Sequence, residues 1–512
     1  MTEPELLAII ETLTGQPFKP KTWPRLYQLQ GIAAALISQR FVLFYDMQLG
    51  KTLCALQWAE TIKQAGYSQG TGLVIAHAPV ALDVWEGQAR QHSYLNVRVV
   101  RTNMDDFIRA VEDGVDLIVM TWSGLQEIFT EKHVLTKGPR KGQTILRPNE
   151  ELLAIAASCF NLFIIDEIHK AKNPWGLWFE LAEQISAQTV WRLGLTGTPL
   201  NRDPFGIWAQ LKLIDGGQRL GYSFNFFREA FGHLVINYAR GKVRELEFNP
   251  RLMPLLSQRV ASCSLSYSRA EAGIHVKVVE SLVELPMYGD QYEAYEDCIN
   301  NVIRTLDGSI WSDEKEVSVN AFSRLRQISA GYLPFVDSKG ERRVARFRSS
   351  AKLEWLSNFF EELDGKPSII IFCEHVECGQ IITELLARKK IRHGWVYGGS
   401  TPGADKKVIE EFQSGERQVF LANHRSGGTS ITLNKADYTI FFELPVAPID
   451  RKQAQARAMA DRGDRPLFIM DLCCSPTEHR VLEFIKEGRN LEEALRTAKD
   501  KKKIFAELRA RI

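Results

Sequence analysis

Two α/β lobes, each a mostly parallel sheet with helices on both faces, are what this sequence predicts. Short apolar runs of strand length alternate with stretches of helical period along most of the chain, the pattern of parallel β-α units. At 512 residues the chain also exceeds what one core holds, since single cores stop growing near about 250–300 residues. Two of the apolar runs end in phosphate-handling residues at their carboxyl ends, where open parallel sheets bind ligands.

Taken in order, the first set of strands is expected at 41–45, 73–78, 116–121, 161–166 and 192–196. The second set is expected at 369–372, 394–397, 418–422, 438–443 and 467–472. Their crossovers should be right-handed. The lobes should meet near 265–280, giving a first lobe over 1–270 and a second over 271–490. The tail, 491–512, reads as a charged helix. Two segments break the alternation. Residues 132–147 carry Lys132, Lys137, Arg140, Lys141 and Arg147 and read as a basic loop projecting from the first lobe. Residues 307–350 read as an insertion in the second, ending in Arg342, Arg343, Arg346 and Arg348. Each is either a grip for a phosphate backbone or a solvated loop.

Composition excludes several classes. Hydrophobic content of 45% and charged content of 25% are ordinary for a globular protein. A net charge of +2 means that nucleic-acid binding has to come from local basic surfaces. No run approaches about 18 uncharged apolar residues, so no membrane span is expected. The acidic N-terminus does not read as a secretory signal. Eight cysteines are scattered without a Cys-x-x-Cys pair. Buried thiols in a reducing cytoplasm, of a bacterial or phage-infected cell, are the expectation, even for Cys373 and Cys378.

The chemistry is concentrated in two short segments. Phe41–Tyr45 is followed by Asp46-Met-Gln-Leu-Gly-Lys-Thr52 and then a helical pattern. Backbone N–H groups of such a turn, with a helix N-terminus behind it, cradle phosphate oxygens. Met47, Gln48, Leu49, Gly50, Lys51, Thr52 and Leu53 are therefore the expected nucleotide-binding set. Lys51 would reach the outer phosphates and Thr52 would hold Mg²⁺. Farther on, an apolar strand ends in Asp166-Glu167. Asp166 is expected to hold the metal, and Glu167 to orient and deprotonate the attacking water. Gln453 and Arg457 sit in a polar helical stretch from which a guanidinium could reach the γ-phosphate.

This motif set resembles the Swi/Snf-like ATPases of helicase superfamily 2, DNA translocases with two RecA-like lobes and ATP in the cleft between them. Leu26-Tyr-Gln-Leu-Gln-Gly31 resembles the adenine-reading segment, which implies that Gln28 contacts the base. Asp166-Glu-Ile-His-Lys-Ala-Lys-Asn173 is close to the family's acid box. Leu195-Thr-Gly-Thr-Pro199, with Asn201 and Trp208, resembles the coupling motif. Ala78-Pro79 with Trp85, and Thr121-Trp122, resemble segments that touch DNA. So do Tyr397–Thr401 and Ser426–Gly428. The resemblance implies DNA contacts at Pro79, Thr121, Thr198, Gly398, Ser400, Gly427 and Gly428. It also implies ATP and Mg²⁺ as cofactors and sequence-independent binding of double-stranded DNA. A protein partner that directs the motor is a further expectation. The three tryptophans are expected to pack rather than to stack on bases.

The departures are specific. Tyr45 stands where a small residue is usual and Gln48 where the family has Gly. Ala460 occupies the position of a second arginine, with Arg462 two residues on. The expectation is that Arg457 and Arg462 both act as arginine fingers, Arg462 being brought round by an early helix end at Gly463; the alternative is that Arg457 acts alone and Arg462 holds Asp461 or Asp464 in a surface pair. No histone-facing or nuclease domain is evident, as in a bare motor. The competing functions are a strand-separating DNA or RNA helicase and a catalytically weakened module that binds DNA and recruits a partner. ATP hydrolysis with and without DNA separates them.

Overall fold

The computed structural model describes residues 1–77, 79–137, 142–197, 204–237, 243–306, 314–336, 339–348, 350–424, 432–459, 462–489 and 501–510. The chain divides between His275 and Val276 into two units. Each is built on one sheet in which every strand pair is parallel.

The first sheet has seven strands: β1 (Arg40–Tyr45), β2 (Thr71–Ala76), β3 (Val97–Val99), β4 (Leu117–Thr121), β5 (Phe160–Asp166), β6 (Trp191–Leu195) and β7 (Ser264–Tyr267). Their order is β7-β1-β6-β5-β2-β4-β3. Both faces are covered, which is why these strands read as unbroken apolar runs rather than alternating ones. Val42, Phe44, Phe163 and Ile165 face one core. Phe41, Leu43, Leu162 and Ile164 face the other.

The second sheet has six strands: β8 (Val278–Glu284), β9 (Ile369–Cys373), β10 (His393–Val396), β11 (Val419–Asn423), β12 (Tyr438–Phe441) and β13 (Leu467–Cys473), in the order β8-β13-β12-β9-β11-β10. One face packs Ile369, Ile371, Leu421 and Ile440 into a common core. The tail helix Lys501–Ala510 seats Ile504, Phe505 and Leu508 in buried positions within this unit.

All ten expected strands are present, with shifted ends. β2 starts two residues early, because Gly72 weakens the apolar signal yet sits against Leu117 and Leu162, which take up its missing side chain. β12 stops at Phe441. Glu443 leaves the ladder to accept the backbone N–H groups of Glu374 at 2.7 Å and His375 at 3.0 Å. The strands β3, β7 and β8 were not expected. β3 has three residues and no pattern to read, Ser-Leu-Ser-Tyr in β7 is half polar, and β8 is a largely exposed edge.

The basic segment at 132–147 is not an irregular loop. It forms an antiparallel hairpin, Thr130–Val134 against Thr144–Pro148. The insertion at 307–350 holds a helix, Glu314–Ser329, and a second hairpin, Tyr332–Val336 against Arg342–Arg346. A further hairpin pairs Gly232–Asn237 with Val243–Phe248. Six of the eight cysteines are buried, and all eight are free thiols. Among the described residues no helix is long and apolar enough to cross a membrane.

Candidate nucleotide site and motor motifs

The turn after β1 is shaped by its neighbours. Gly50 has φ +76°, a left-handed conformation that disfavours other residues. A Cβ there would also lie 2.3 Å from Gln28 Nε2. That amide donates to Leu49 O at 3.0 Å, while Gln28 Oε1 accepts from Arg25 N at 2.8 Å. Tyr27 OH donates to the same Leu49 oxygen at 3.2 Å. Gln28 thus stands at the turn where a base-reading residue was expected, with its amide already bonded to the loop. Leu49 and Leu53 are buried, so they pack the loop from below. Helix Lys51–Gln64 starts directly behind, with Thr52 in its first turn.

Tyr45 is compatible with this turn because its ring leaves it. The side chain is fully buried and its hydroxyl donates to Tyr27 O at 2.6 Å. Gly31 makes the room: a Cβ at Gly31 would lie 2.4 Å from the Tyr45 oxygen. Gln48 retains the glycine-like backbone, with φ +68°.

Lys51 Nζ donates to Tyr45 O at 2.9 Å and to Asp46 O at 3.3 Å. Gly197, just after β6, comes close to this group; a Cβ there would lie 3.2 Å from Tyr45 O and 3.6 Å from Lys51 Nζ. Glycine is what permits that approach.

β5 delivers Asp166 and Glu167, both buried. Glu167 has φ +50°, a strained conformation of the kind that collects at functional sites. Its Oε2 lies 3.1 Å from His169 Nδ1 and accepts from Thr196 Oγ1 at 3.3 Å. Thr196 Oγ1 and His169 Nδ1 are 2.9 Å apart. The acid box and the segment after β6 are therefore one hydrogen-bonded unit. Burial pushes the Glu167 carboxyl up, but the His169 bond and the Lys51 charge outweigh it and hold it below the usual carboxylate range. Burial, and then the Glu167 charge, push Asp166 the other way.

Two contributors were not legible in the sequence. Trp85, expected near DNA, is fully buried and donates its indole N–H to Asp166 Oδ2 at 3.0 Å. It stands on helix Pro79–His92, which opens with Pro79. Arg269, just beyond β7, donates its backbone N–H to Asp46 Oδ2 at 3.2 Å and its Nε to Met47 O at 3.2 Å. No spacing rule links residue 269 to residues 46 and 47; only the pairing of β7 with β1 brings them together.

The DNA-type positions are more dispersed. Thr121 ends β4 and caps helix Trp122–Phe129, accepting from Gly124 N at 3.0 Å, and it is buried. Trp122 and Trp208 are buried as packing residues. In the second unit Gly398 and Ser400 form a turn at the carboxyl end of β10, where Ser400 Oγ donates to Tyr397 O at 2.6 Å. Gly398 is exposed with open space around it. Ala78, Thr198, Pro199, Asn201, Ser426, Gly427, Gly428, Ala460 and Asp461 lie outside the described residues.

Helix Pro448–Ala458 carries Gln453, half-buried, and Arg457, buried. Arg457 Nη2 donates to His424 O at 3.2 Å, and its guanidinium lies 5.7 Å from the Phe372 ring centre. Burial pulls it down to about 10. The helix ends at Ala458, the early end expected, and Gly463 has φ +57°. Arg462 does not reach outward from there. It donates to the backbone oxygens of Asn434 at 3.1 Å, Ala458 at 3.0 Å, Arg465 at 3.4 Å and Pro466 at 2.9 Å, and to that of Ala436. The guanidinium is consumed in tying the helix end to the turn before β12.

Residues 27–331 match the model of the SNF2-related domain, and 351–460 that of the helicase conserved C-terminal domain. The chain belongs to the SNF2-related family. Among curated relatives of this family, the chain is similar to the putative ATP-dependent helicase/translocase YwqA of Bacillus subtilis. They are 20% identical, over 87% of this chain and 45% of that one. It is 23% identical to chromodomain-helicase-DNA-binding protein 1-like of Danio rerio, over 90% of this chain and 42% of that protein. The chain spans less than half the length of these relatives. Among solved structures, the Sulfolobus solfataricus SWI2/SNF2 ATPase core in complex with dsDNA is matched over 92% of both chains, at 21% identity and a TM-score of 0.41.

Proposed function

We propose that this chain is a DNA-dependent ATPase that couples ATP hydrolysis to movement along double-stranded DNA, remodelling DNA or protein–DNA complexes. The observation that carries the reading is the bonded set Glu167–His169–Thr196 beside Lys51 and Asp166. Glu167 stays ionised despite burial, as a group must that takes a proton from water. His169 and Thr196 hold its orientation. Lys51 and the N–H groups of the turn before it take the phosphates. Asp166 and Thr52 are the residues to hold Mg²⁺, and two buried carboxylates side by side are a donor set that a divalent cation suits. The bound metal supplies charge neutralisation at the phosphate oxygens.

Arg457 is the arginine proposed to meet the γ-phosphate, assisted by Gln453. A guanidinium in that role is worth about 10³–10⁵ in turnover. Arg462 is assigned to holding the helix end instead. Pro79, Thr121, Thr198, Gly398, Ser400, Gly427 and Gly428 remain the proposed DNA contacts. Small residues and backbone N–H groups bind phosphates without reading bases. The relatives' longer chains leave room for a partner or further domains in the working motor.

One observation favours a second reading. Strand separation needs an element that enters the duplex, and the exposed hairpin pairing Thr130–Val134 with Thr144–Pro148 is a candidate. Displacement of a triplex-forming third strand from a duplex, with ATP present, tests the first reading. Third-strand release with the duplex left intact is expected. Separation of the duplex itself supports the helicase reading, and inactivity on both substrates supports a module that only binds.

A further inference from the structure

The phosphate turn holds a glutamine in a glycine's conformation, and a distant arginine is bonded to that glutamine. Gln48 has φ +68°, where a side chain is disfavoured. Arg269 Nη2 donates to Gln48 Oε1 at 3.4 Å, its Nε to Met47 O at 3.2 Å, and its backbone N–H to Asp46 Oδ2 at 3.2 Å. The turn is fastened on the same side once more, because Asp46 N donates to Tyr267 O at 2.9 Å.

Geometry says which side that is. Arg269 follows β7, while Gly197, which approaches the Lys51 ammonium, follows β6; β1 lies between those two strands, so Arg269 and Lys51 meet the turn from opposite sides. The Gln48 amide that it holds is drawn to the same side.

We infer that Arg269 is a positioning residue for nucleotide binding, which works by holding the Gln48 side chain off the phosphate seat. This rests on the reading of the turn as an ATP site. Gly at this position has no side chain to obstruct the phosphates. Gln48 brings one, and Arg269 parks it. Arg269 also stands six residues before the division between the units, at His275 and Val276. The brace on the phosphate turn is thus part of the segment that leads into the second unit.

The pairing predicts suppression. Arg269→Ala frees the Gln48 side chain and should weaken nucleotide binding about tenfold, the effect of one hydrogen bond to a charged group. Gln48→Gly should bind about tenfold more tightly than Arg269→Ala, because its strain and its side chain go together. In the double variant no Gln48 side chain is left to be freed, so binding should return to within about threefold of Gln48→Gly alone.

The measurement is equilibrium binding of a fluorescent, non-hydrolysable ATP analogue with Mg²⁺ to the full chain, with the thermal midpoint of each variant alongside. If Arg269→Ala lowers the midpoint, Arg269→Met, which keeps the apolar stem, takes its place in the comparison. Arg269 variants that bind like the parent overturn the inference. So does a double variant as weak as Arg269→Ala, since that arginine would then act without Gln48. A parent chain that does not bind the analogue, or binding that survives Lys51→Ala, overturns the ATP-site reading instead.

Discussion

Glu167 and Arg462 are two charged side chains buried to a similar degree and put to opposite uses. Glu167 is held ionised with one oxygen facing His169 and Thr196. Glu167→Gln keeps the shape and removes the charge. It should bind ATP as the parent does and lose at least about 10²-fold in turnover, the usual worth of a positioned general base. Parental turnover in this variant contradicts the assignment. Arg462 serves five backbone oxygens. Arg462→Ala should cost roughly 2–4 kcal/mol of stability by stranding buried acceptors. Turnover per folded molecule should be retained. Chemical denaturation and steady-state hydrolysis together check this, and unchanged stability with lost turnover would restore the finger. Trp85→Phe removes one donor from Asp166. Loss of such an outer partner typically weakens a metal site about 10–100-fold. The Mg²⁺ concentration for half-maximal hydrolysis should rise accordingly; an unmoved value makes Trp85 packing alone.

At the scale of elements, the two basic segments turn out to differ. In the hairpin at 332–346, Arg346 is paired with Glu384 at 2.9 Å through Nη2, and Arg343 with Glu341 at 2.9 Å. Their charges are largely answered within the fold. The double variant Arg343→Ala/Arg346→Ala should leave the salt dependence of DNA binding unchanged. A phosphate contact is worth about 0.9 in the slope of log affinity against log salt. A fall of that size per arginine would make this hairpin a DNA grip after all. Both segments were legible as basic and glycine-containing, but not as hairpins. Thr130–Val134 and Thr144–Pro148 are exposed on both faces, so they carry no alternation to read. The central strands were legible for the opposite reason: they are buried on both faces, and their apolar runs show it.

At the scale of the whole molecule, two parallel-sheet units were readable from strand spacing, and the chain divides between His275 and Val276. Lys51, Asp166 and Glu167 could be proposed from the sequence because local spacing alone defines their motifs. What escaped was everything set by contacts distant in sequence. Trp85 reaches Asp166 across 81 residues, and Arg269 reaches Gln48 across 221. Arg462 stayed open between two readings because a guanidinium near a motif reads the same whether it faces a ligand or a ring of carbonyls. These long-range bonds hold the proposed ATPase residues in register, while among the described DNA-type positions Thr121 ends β4 and Gly398 and Ser400 follow β10. The account therefore stands on one coupling, between duplex DNA and ATP turnover. Steady-state ATP hydrolysis by the full chain, with and without plasmid DNA, tests it directly. Turnover is predicted to rise at least about tenfold with double-stranded DNA, to weaken as salt is raised, and to vanish in Glu167→Gln. Turnover that is absent, or that is the same with and without DNA, contradicts the account.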